Sequence, residues 1–393
     1  MSFKYKKKDE KYICGTYSRY DVCLKSGKNA TLKDVYGKKY IDFTSGIGVN
    51  SIGAANKEWA SAVALQAKKL QHISNLYYTK PDIKAAEKLC EYTGYKKVFF
   101  ANSGAEANEC AIKAARKYSF DKYGKSRTTV LTLVNSFHGR TITTLSATGQ
   151  DSFHDYFFPF TDGFCYSPAN DYKSFVHSCT NDVCAVMLEF VQGEGGVIPL
   201  DEEFVSAVFN FCKEHDILFI ADEVQTGVGR TGTFLASEQF GVFPDITTLA
   251  KGLGNGLPIG AVLFDETTEN VLGKGQHGST FGGNPVACAG ANVVLDTVMD
   301  SFFLDEVAEK GYYLKSRFED LNGVERIDGM GLMLGIKLKT EATAAEIAKK
   351  CVENGLLVLT AKDKIRLLPP LTITYDELDK GADIFEQVLN ETV

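Results

Sequence analysis

The sequence predicts an α/β protein: a large, mainly parallel sheet followed by a smaller α+β domain. Three observations carry this. Short, almost wholly apolar runs (TTVLTLVNS, CAVMLE, ILFIADE, IGAVLF) recur between residues 128 and 264. The segment EEFVSAVFNFCKEHD separates two of them, with Phe204, Val208 and Phe211 on one helical face. Strands buried on both faces and joined by such crossover helices form a parallel sheet covered on both sides. Near residue 280 the texture shifts to a long helix followed by glycine-rich and mixed segments.

In chain order, residues 1 to 60 read as irregular apart from one hairpin. There Tyr36-Gly37 joins the two strand-forming runs of ATLKDVYGKKYIDF. ASAVALQAKKL and IKAAEKLCEYTGY carry apolar residues at helical spacing, and KKVFFANSG is a short strand ending in a glycine turn. After the alternating strands and helices, NPVACAGANVVLDTVM reads as a long helix. A glycine-rich strand (GMGLMLGIKL), a helix (AAEIAKKCVENG), a strand (LLVLT), the stretch RLLPPLTIT and a closing helix follow. The expected division is an N-terminal segment 1–60 contributing to the small domain, a large α/β domain 61–279 and a small α+β domain 280–393.

The 393 residues, 44% of them hydrophobic, suffice for a large core. A formal net charge of -7 gives no reason to expect nucleic acid as a partner. The basic start, MSFKYKKKDEK, lacks the apolar run of a secretory signal, and no stretch reaches the roughly 18 apolar residues of a membrane helix. The expectation is a cytoplasmic protein without a membrane partner. Ten cysteines are scattered from Cys14 to Cys351 with no close CxxC pair. Several, such as Cys110, Cys184 and Cys288, sit among apolar or small residues, as reduced core-filling thiols would. The six histidines form no HExxH or clustered pattern, so no metal site is expected.

Three segments could carry chemistry. Asn102 to Glu109 follows the strand VFFA and opens a helix, where free backbone N–H groups favour an anion; Ser103 is also explained as a plain N-cap. The strand FIA runs into Asp222-Glu223, two carboxylates at the sheet edge where open α/β sheets place ligands, or simply an acidic strand-to-loop transition. Lys251 closes an apolar run and opens the loop GLGNG. It reads either as a surface lysine or as a confined amine suited to Schiff-base chemistry. Only eight of the 43 basic residues are arginine, and three of them, Arg140, Arg230 and Arg366, lie in glycine- or proline-rich loops. Each could grip a carboxylate or form a structural ion pair, and the ion pair is the expectation for Arg230.

Taken together these segments resemble the class III aminotransferases of the fold-type I pyridoxal-phosphate group. The match comprises Ala221, Asp222-Glu223-Val224, Gly227, Arg230, Asp245 and Lys251, with GKKYIDFTSGIGVNSIG, SNLYYTKP, ANSGAEANE, SFHGRT, QGEGG, HGSTFGGNP, GMGLMLGI and IRLLPP in the family's order. The likeness covers nearly the whole chain. It implies that Lys251 holds pyridoxal 5'-phosphate covalently and then moves protons, while Asp222 pairs with the pyridine nitrogen. Gln225 would reach the phenolic oxygen, Phe137 would stack on the ring with His138 beside it, and Ser103, Gly104 and Ala105 would bind the phosphate. Thr280 would reach that phosphate from the second subunit of a homodimer with shared active sites. On the substrate side the resemblance assigns Arg366 to the α-carboxylate of glutamate and 2-oxoglutarate, and Glu194 to a switch that pairs with Arg366. Arg140, with Tyr17, would hold the donor's carboxylate, and Glu189, Ser279 and a tyrosine of NLYY would line the site.

The expected reaction is ping-pong transfer of the δ-amine of N2-acetylornithine to 2-oxoglutarate, with ornithine, succinylornithine or 4-aminobutyrate as alternative donors. An aminomutase or a non-catalytic relative are the other readings. Two departures from the family pattern stand out: Phe190 replaces a frequent proline, and Gly53-Ala54-Ala55-Asn56-Lys57 replaces a GHxHP-like segment.

Overall fold

The computed structural model describes residues 2–392. Its centre is a seven-stranded sheet in the order 97–101, 260–264, 246–249, 218–222, 183–188, 129–133 and 164–167. The last five strands of that order run parallel. Gly260–Phe264 runs antiparallel to both its neighbours, so Lys97–Ala101 again points the same way as the parallel set. The inner strands Thr129–Leu133, Val183–Leu188 and Leu218–Asp222 are buried along their whole length, which explains their unbroken apolar character. Two strands, Phe164–Ser167 and Ile246–Leu249, were not anticipated. The first is a short edge strand. The second contains two threonines, whose polarity hides a wholly buried position.

The crossover helix Glu202–Glu214 forms as expected, but its deeply buried stripe is Phe204, Val205, Val208 and Cys212. Phe211 lies at the margin of that stripe and stacks on His215 at 4.0 Å. The helix Ser2–Tyr12 falls where an irregular segment was expected. Eight of its eleven residues are polar or charged, too many for a continuous apolar stripe to announce it. The anticipated hairpin joins Thr31–Asp34 to Lys39–Asp42, and Leu356–Leu357 from the far end of the chain adds a parallel strand beside Ile41 and Asp42. Residues of the N-terminal segment thus share a sheet with the C-terminal region. Asn56, in the departing segment 53–57, caps the helix Lys57–Lys69 by accepting from the Glu58 and Trp59 amides at 3.1 Å.

The long helix stops at Val298 and a second, Ser301–Glu319, continues at 76° to it. Asp300 caps the second helix through the Phe302 and Phe303 amides. No single helix among the described residues is long and apolar enough to cross a membrane. The stretch expected as one glycine-rich strand is a hairpin turn instead, between Val324–Met330 and Met333–Leu338. Gly331 at the turn has φ +52°, and a side chain there would meet the Thr231 backbone at 2.5 Å.

That contact brings the turn to Arg230, whose guanidinium is buried. It donates to the carbonyls of Leu332 (2.9 Å) and Pro369 (2.6 Å). The expected ion pair is not what fixes Arg230. Its hydrogen-bonding partners are carbonyl oxygens, and it stitches the loop after the central strand to the C-terminal region. Arg230→Met leaves both carbonyls unsatisfied and is expected to cost about 2–4 kcal/mol in urea unfolding. A midpoint within error of the parent would contradict this role.

All parallel strands, and Lys97–Ala101, deliver their C-terminal ends to one edge of the sheet. Ser103, Phe137, Glu189, Asp222 and Lys251 each follow or close one of these strands.

Candidate active site

A cavity of ≈410 Å³ opens at that edge. Lys251 borders it immediately after Ile246–Leu249 and Ala250, with φ +39°, a left-handed conformation that costs a side-chain-bearing residue on the order of 1–3 kcal/mol. Its amine makes no hydrogen bond or ion pair among the described residues. Burial lowers its pKa; Glu194 opposes the shift and Arg366 adds to it, leaving the amine below its ordinary range. An unpartnered amine with a weakened hold on its proton, facing a cavity, is a competent nucleophile.

Asp222 closes the strand Leu218–Asp222 and is buried. One carboxylate oxygen, Oδ2, accepts from Asn108 Nδ2 at 2.7 Å and His138 Nδ1 at 2.8 Å; Oδ1 accepts from the Val224 amide at 3.0 Å. Because His138 Nδ1 meets a carboxylate, the network assigns its proton there, and Nε2 is buried with no partner. Asn108 is fully committed: it also donates to the His138 carbonyl (2.7 Å) and accepts from Thr248 Oγ1 (2.7 Å). His138 therefore acts on Asp222. Asn108 had no role in the sequence reading, although it lies within the motif at the helix start.

That helix spans Gly104–Tyr123. Ser103 Oγ accepts from the Glu106 amide at 3.2 Å, so the N-cap reading holds. The amides of Gly104 and Ala105 have no carbonyl one turn back within the helix, and both residues line the cavity. A carbon added to Gly104 would sit 2.6 Å from Val224 Cγ1, which explains the glycine. Phe137 borders the cavity, and its amide donates to Glu189 Oε2 at 2.9 Å. Burial, with Asp222 nearby, pushes the Glu189 carboxyl well above the usual range. Phe190, in place of the frequent proline, is fully buried and stacks on Phe240 at 4.9 Å.

Arg366 and Glu194 are not among the residues lining the cavity but join one that is: Arg366 Nη1 donates to Glu194 Oε1 at 2.6 Å and to Gln225 Oε1 at 3.2 Å. Burial alone would raise the Glu194 carboxyl, but the charge and hydrogen bond of Arg366 overcome it and the net shift is downward. Gln225 lines the cavity while its amide is tied to this pair. Arg140 borders the cavity, lying over Phe153. Ser279 stands at the cavity's flank, its hydroxyl accepting from Asn102 at 3.0 Å. Thr280 and Tyr17 are exposed, and a single chain does not bring them into the cavity.

The sequence profile described as Aminotransferase class-III matches residues 15–389. The chain belongs to the class III aminotransferases, and it is a pyridoxal-phosphate-dependent enzyme. It is 53% identical over 387 residues to the acetylornithine aminotransferase of Haemophilus ducreyi, covering 98% of each chain. Among solved structures it is similar to the N-acetylornithine aminotransferase of Stenotrophomonas maltophilia (TM-score 0.85, 34% identity, 98% of each chain). It is also similar to the ornithine aminotransferase of Toxoplasma gondii, seen with partial occupancy of the cofactor (TM-score 0.95, 30% identity, 100% of this chain and 95% of that one).

Proposed function

We propose that this enzyme transfers the δ-amine of N2-acetylornithine to 2-oxoglutarate, giving N-acetylglutamate 5-semialdehyde and glutamate, a step of arginine biosynthesis. The observation that carries the reading is an asymmetry between two arginines. Arg366 is latched by Glu194 at 2.6 Å, whereas Arg140 has no hydrogen bond or ion pair among the described residues. N2-Acetylornithine carries one carboxylate and 2-oxoglutarate two. One open arginine serves the first; swinging Glu194 aside exposes the second receptor that the oxo acid needs.

The donor set fits pyridoxal phosphate: an unpartnered amine, a buried carboxylate held by three donors and a helix start with free amides border one cavity. When bound, the cofactor supplies an electron sink for the charge left on the donor carbon after it loses its proton. Lys251 Nζ would hold the cofactor and, once displaced by the donor's amine, would carry the proton from the amine-bearing carbon. Asp222, its carboxylate oriented by Asn108, His138 and the Val224 amide, would face the ring nitrogen and hold a proton there. Ser103 and the amides of Gly104 and Ala105 would bind the phosphate, Phe137 would pack on the ring, and Gln225 would serve the phenolic oxygen. Glu189 and Ser279 border the bound substrate.

In this proposal the protein is a homodimer in which Thr280 of the partner subunit completes the phosphate site, and Tyr17 joins Arg140 at the donor's carboxylate. Leu76, Tyr77, Tyr78 and Phe281 support it. They are exposed on two adjoining loops, held together where Asn75 donates to the Ser279 and Gly282 carbonyls. So large an apolar display suits a subunit interface. Light scattering that gave a monomeric mass would exclude the shared site. The division at residues 60 and 280 belongs to the same proposal. We place the enzyme in the cytoplasm, where its ten free cysteines remain thiols.

Arg366→Gln is expected to raise KM for 2-oxoglutarate about 100-fold while changing single-turnover kinetics with the donor far less. Unchanged 2-oxoglutarate kinetics would remove Arg366 from the site. Ornithine is the second reading, favoured by the likeness to the Toxoplasma gondii ornithine aminotransferase. Steady-state kcat/KM for acetylornithine, ornithine, succinylornithine and 4-aminobutyrate decides between them. A higher value for any donor other than acetylornithine reassigns the substrate.

A further inference from the structure

Arg140 is held in an unusual way for a substrate receptor. Its guanidinium carbon lies 4.1 Å from the ring centroid of Phe153 and 5.5 Å from that of Phe137. The two rings meet edge to face at 5.8 Å and 70°. Phe153 closes the short turn Asp151–Phe153 and is not among the residues bordering the cavity. Its position is tied to that of Phe137. The Gly149 amide donates to Ser136 Oγ and Gln150 Nε2 donates to the Ser136 carbonyl, each at 3.0 Å and one residue before Phe137. On the other side His154 Nε2 donates to the Leu145 carbonyl at 2.8 Å.

An arginine at a cavity rim would otherwise sample many rotamers, and a carboxylate arriving there would have to immobilise it. An acidic neighbour would fix it only by occupying the N–H fork, as Glu194 does with Arg366. A ring face fixes the guanidinium through its π surface and leaves all five N–H donors for a ligand.

We infer that Phe153 is a positioning residue for donor recognition: its ring holds Arg140 open and aligned for the carboxylate of the amino donor. The inference rests on the reading of Arg140 as that carboxylate's receptor.

The test is a double-mutant cycle on the holoenzyme, with N2-acetylornithine as donor and Arg140→Gln, Phe153→Leu and their combination as variants. Phe153→Leu is expected to raise donor KM about 3- to 10-fold with kcat held within about twofold. Phe153→Tyr, which keeps the ring face, restores the parent value. In the Arg140→Gln background the Phe153 substitution should add nothing. If Phe153→Leu raises KM equally in both backgrounds, or lowers kcat with KM unchanged, Phe153 does not act through Arg140 and the inference fails. If Arg140→Gln itself leaves donor KM unchanged, the receptor reading has failed first, and the inference with it.

Discussion

Lys251→Ala is expected to abolish turnover, with a fall of about five or more orders of magnitude, because covalent attachment and proton transfer are lost together. The same variant should leave the protein folded. The wild-type amine is desolvated without a hydrogen bond, so it is a burden on the fold, whereas the strain of φ +39° stays because alanine keeps the Cβ. Removing the amine is expected to raise the unfolding free energy of the cofactor-free protein by about 1 kcal/mol, read from urea curves. A loss of activity accompanied by a comparable loss of stability would point to a structural lysine instead. The catalytic reading needs the two measurements to move in opposite directions.

The second large effect is at Asp222. Asp222→Asn is expected to lower kcat about 1000-fold, since the charge that keeps the ring nitrogen protonated disappears. Geometry sharpens the prediction. The Asp222 carboxylate is surrounded by donors only: Asn108 Nδ2 and His138 Nδ1 on one oxygen, the Val224 amide on the other. Asparagine can turn its oxygen to one side only, so at least one buried donor must face an NH₂ group. Cofactor affinity should therefore fall too, measurable by dialysis against increasing pyridoxal phosphate. Asp222→Glu keeps the charge and should recover part of kcat. If Asn and Glu were equally active, the carboxylate's charge would have no catalytic part.

Three of the parallel strands, Thr129–Leu133, Val183–Leu188 and Leu218–Asp222, were legible in the sequence because they are predominantly apolar. A carboxylate at the end of such a strand stands out, as at Asp222, and Lys251 stands out where an apolar run gives way to a glycine-rich loop. What escaped lies in tertiary pairing. Asn108 reads as a polar residue in an ordinary helix. Only the fold brings it against Asp222 and His138, which are 114 and 30 residues away. Arg230 was expected to pair with a carboxylate, yet the groups it hydrogen-bonds are carbonyls, whose approach no local pattern encodes. The helix Ser2–Tyr12 has no apolar face to betray it, and Ile246–Leu249 hides its burial behind two threonines. Phe153 is one aromatic among several in DSFHDYFFPF; its contact with Arg140 depends on the anchoring of the turn to Ser136.

Everything proposed for the site turns on which lysine carries the cofactor. Incubation with pyridoxal phosphate, borohydride reduction and mass-spectrometric mapping identify it directly. The account predicts one stable modification per chain, on the peptide containing Lys251. A modification confined to other lysines, or an unmodified Lys251 peptide at saturating cofactor, would contradict it.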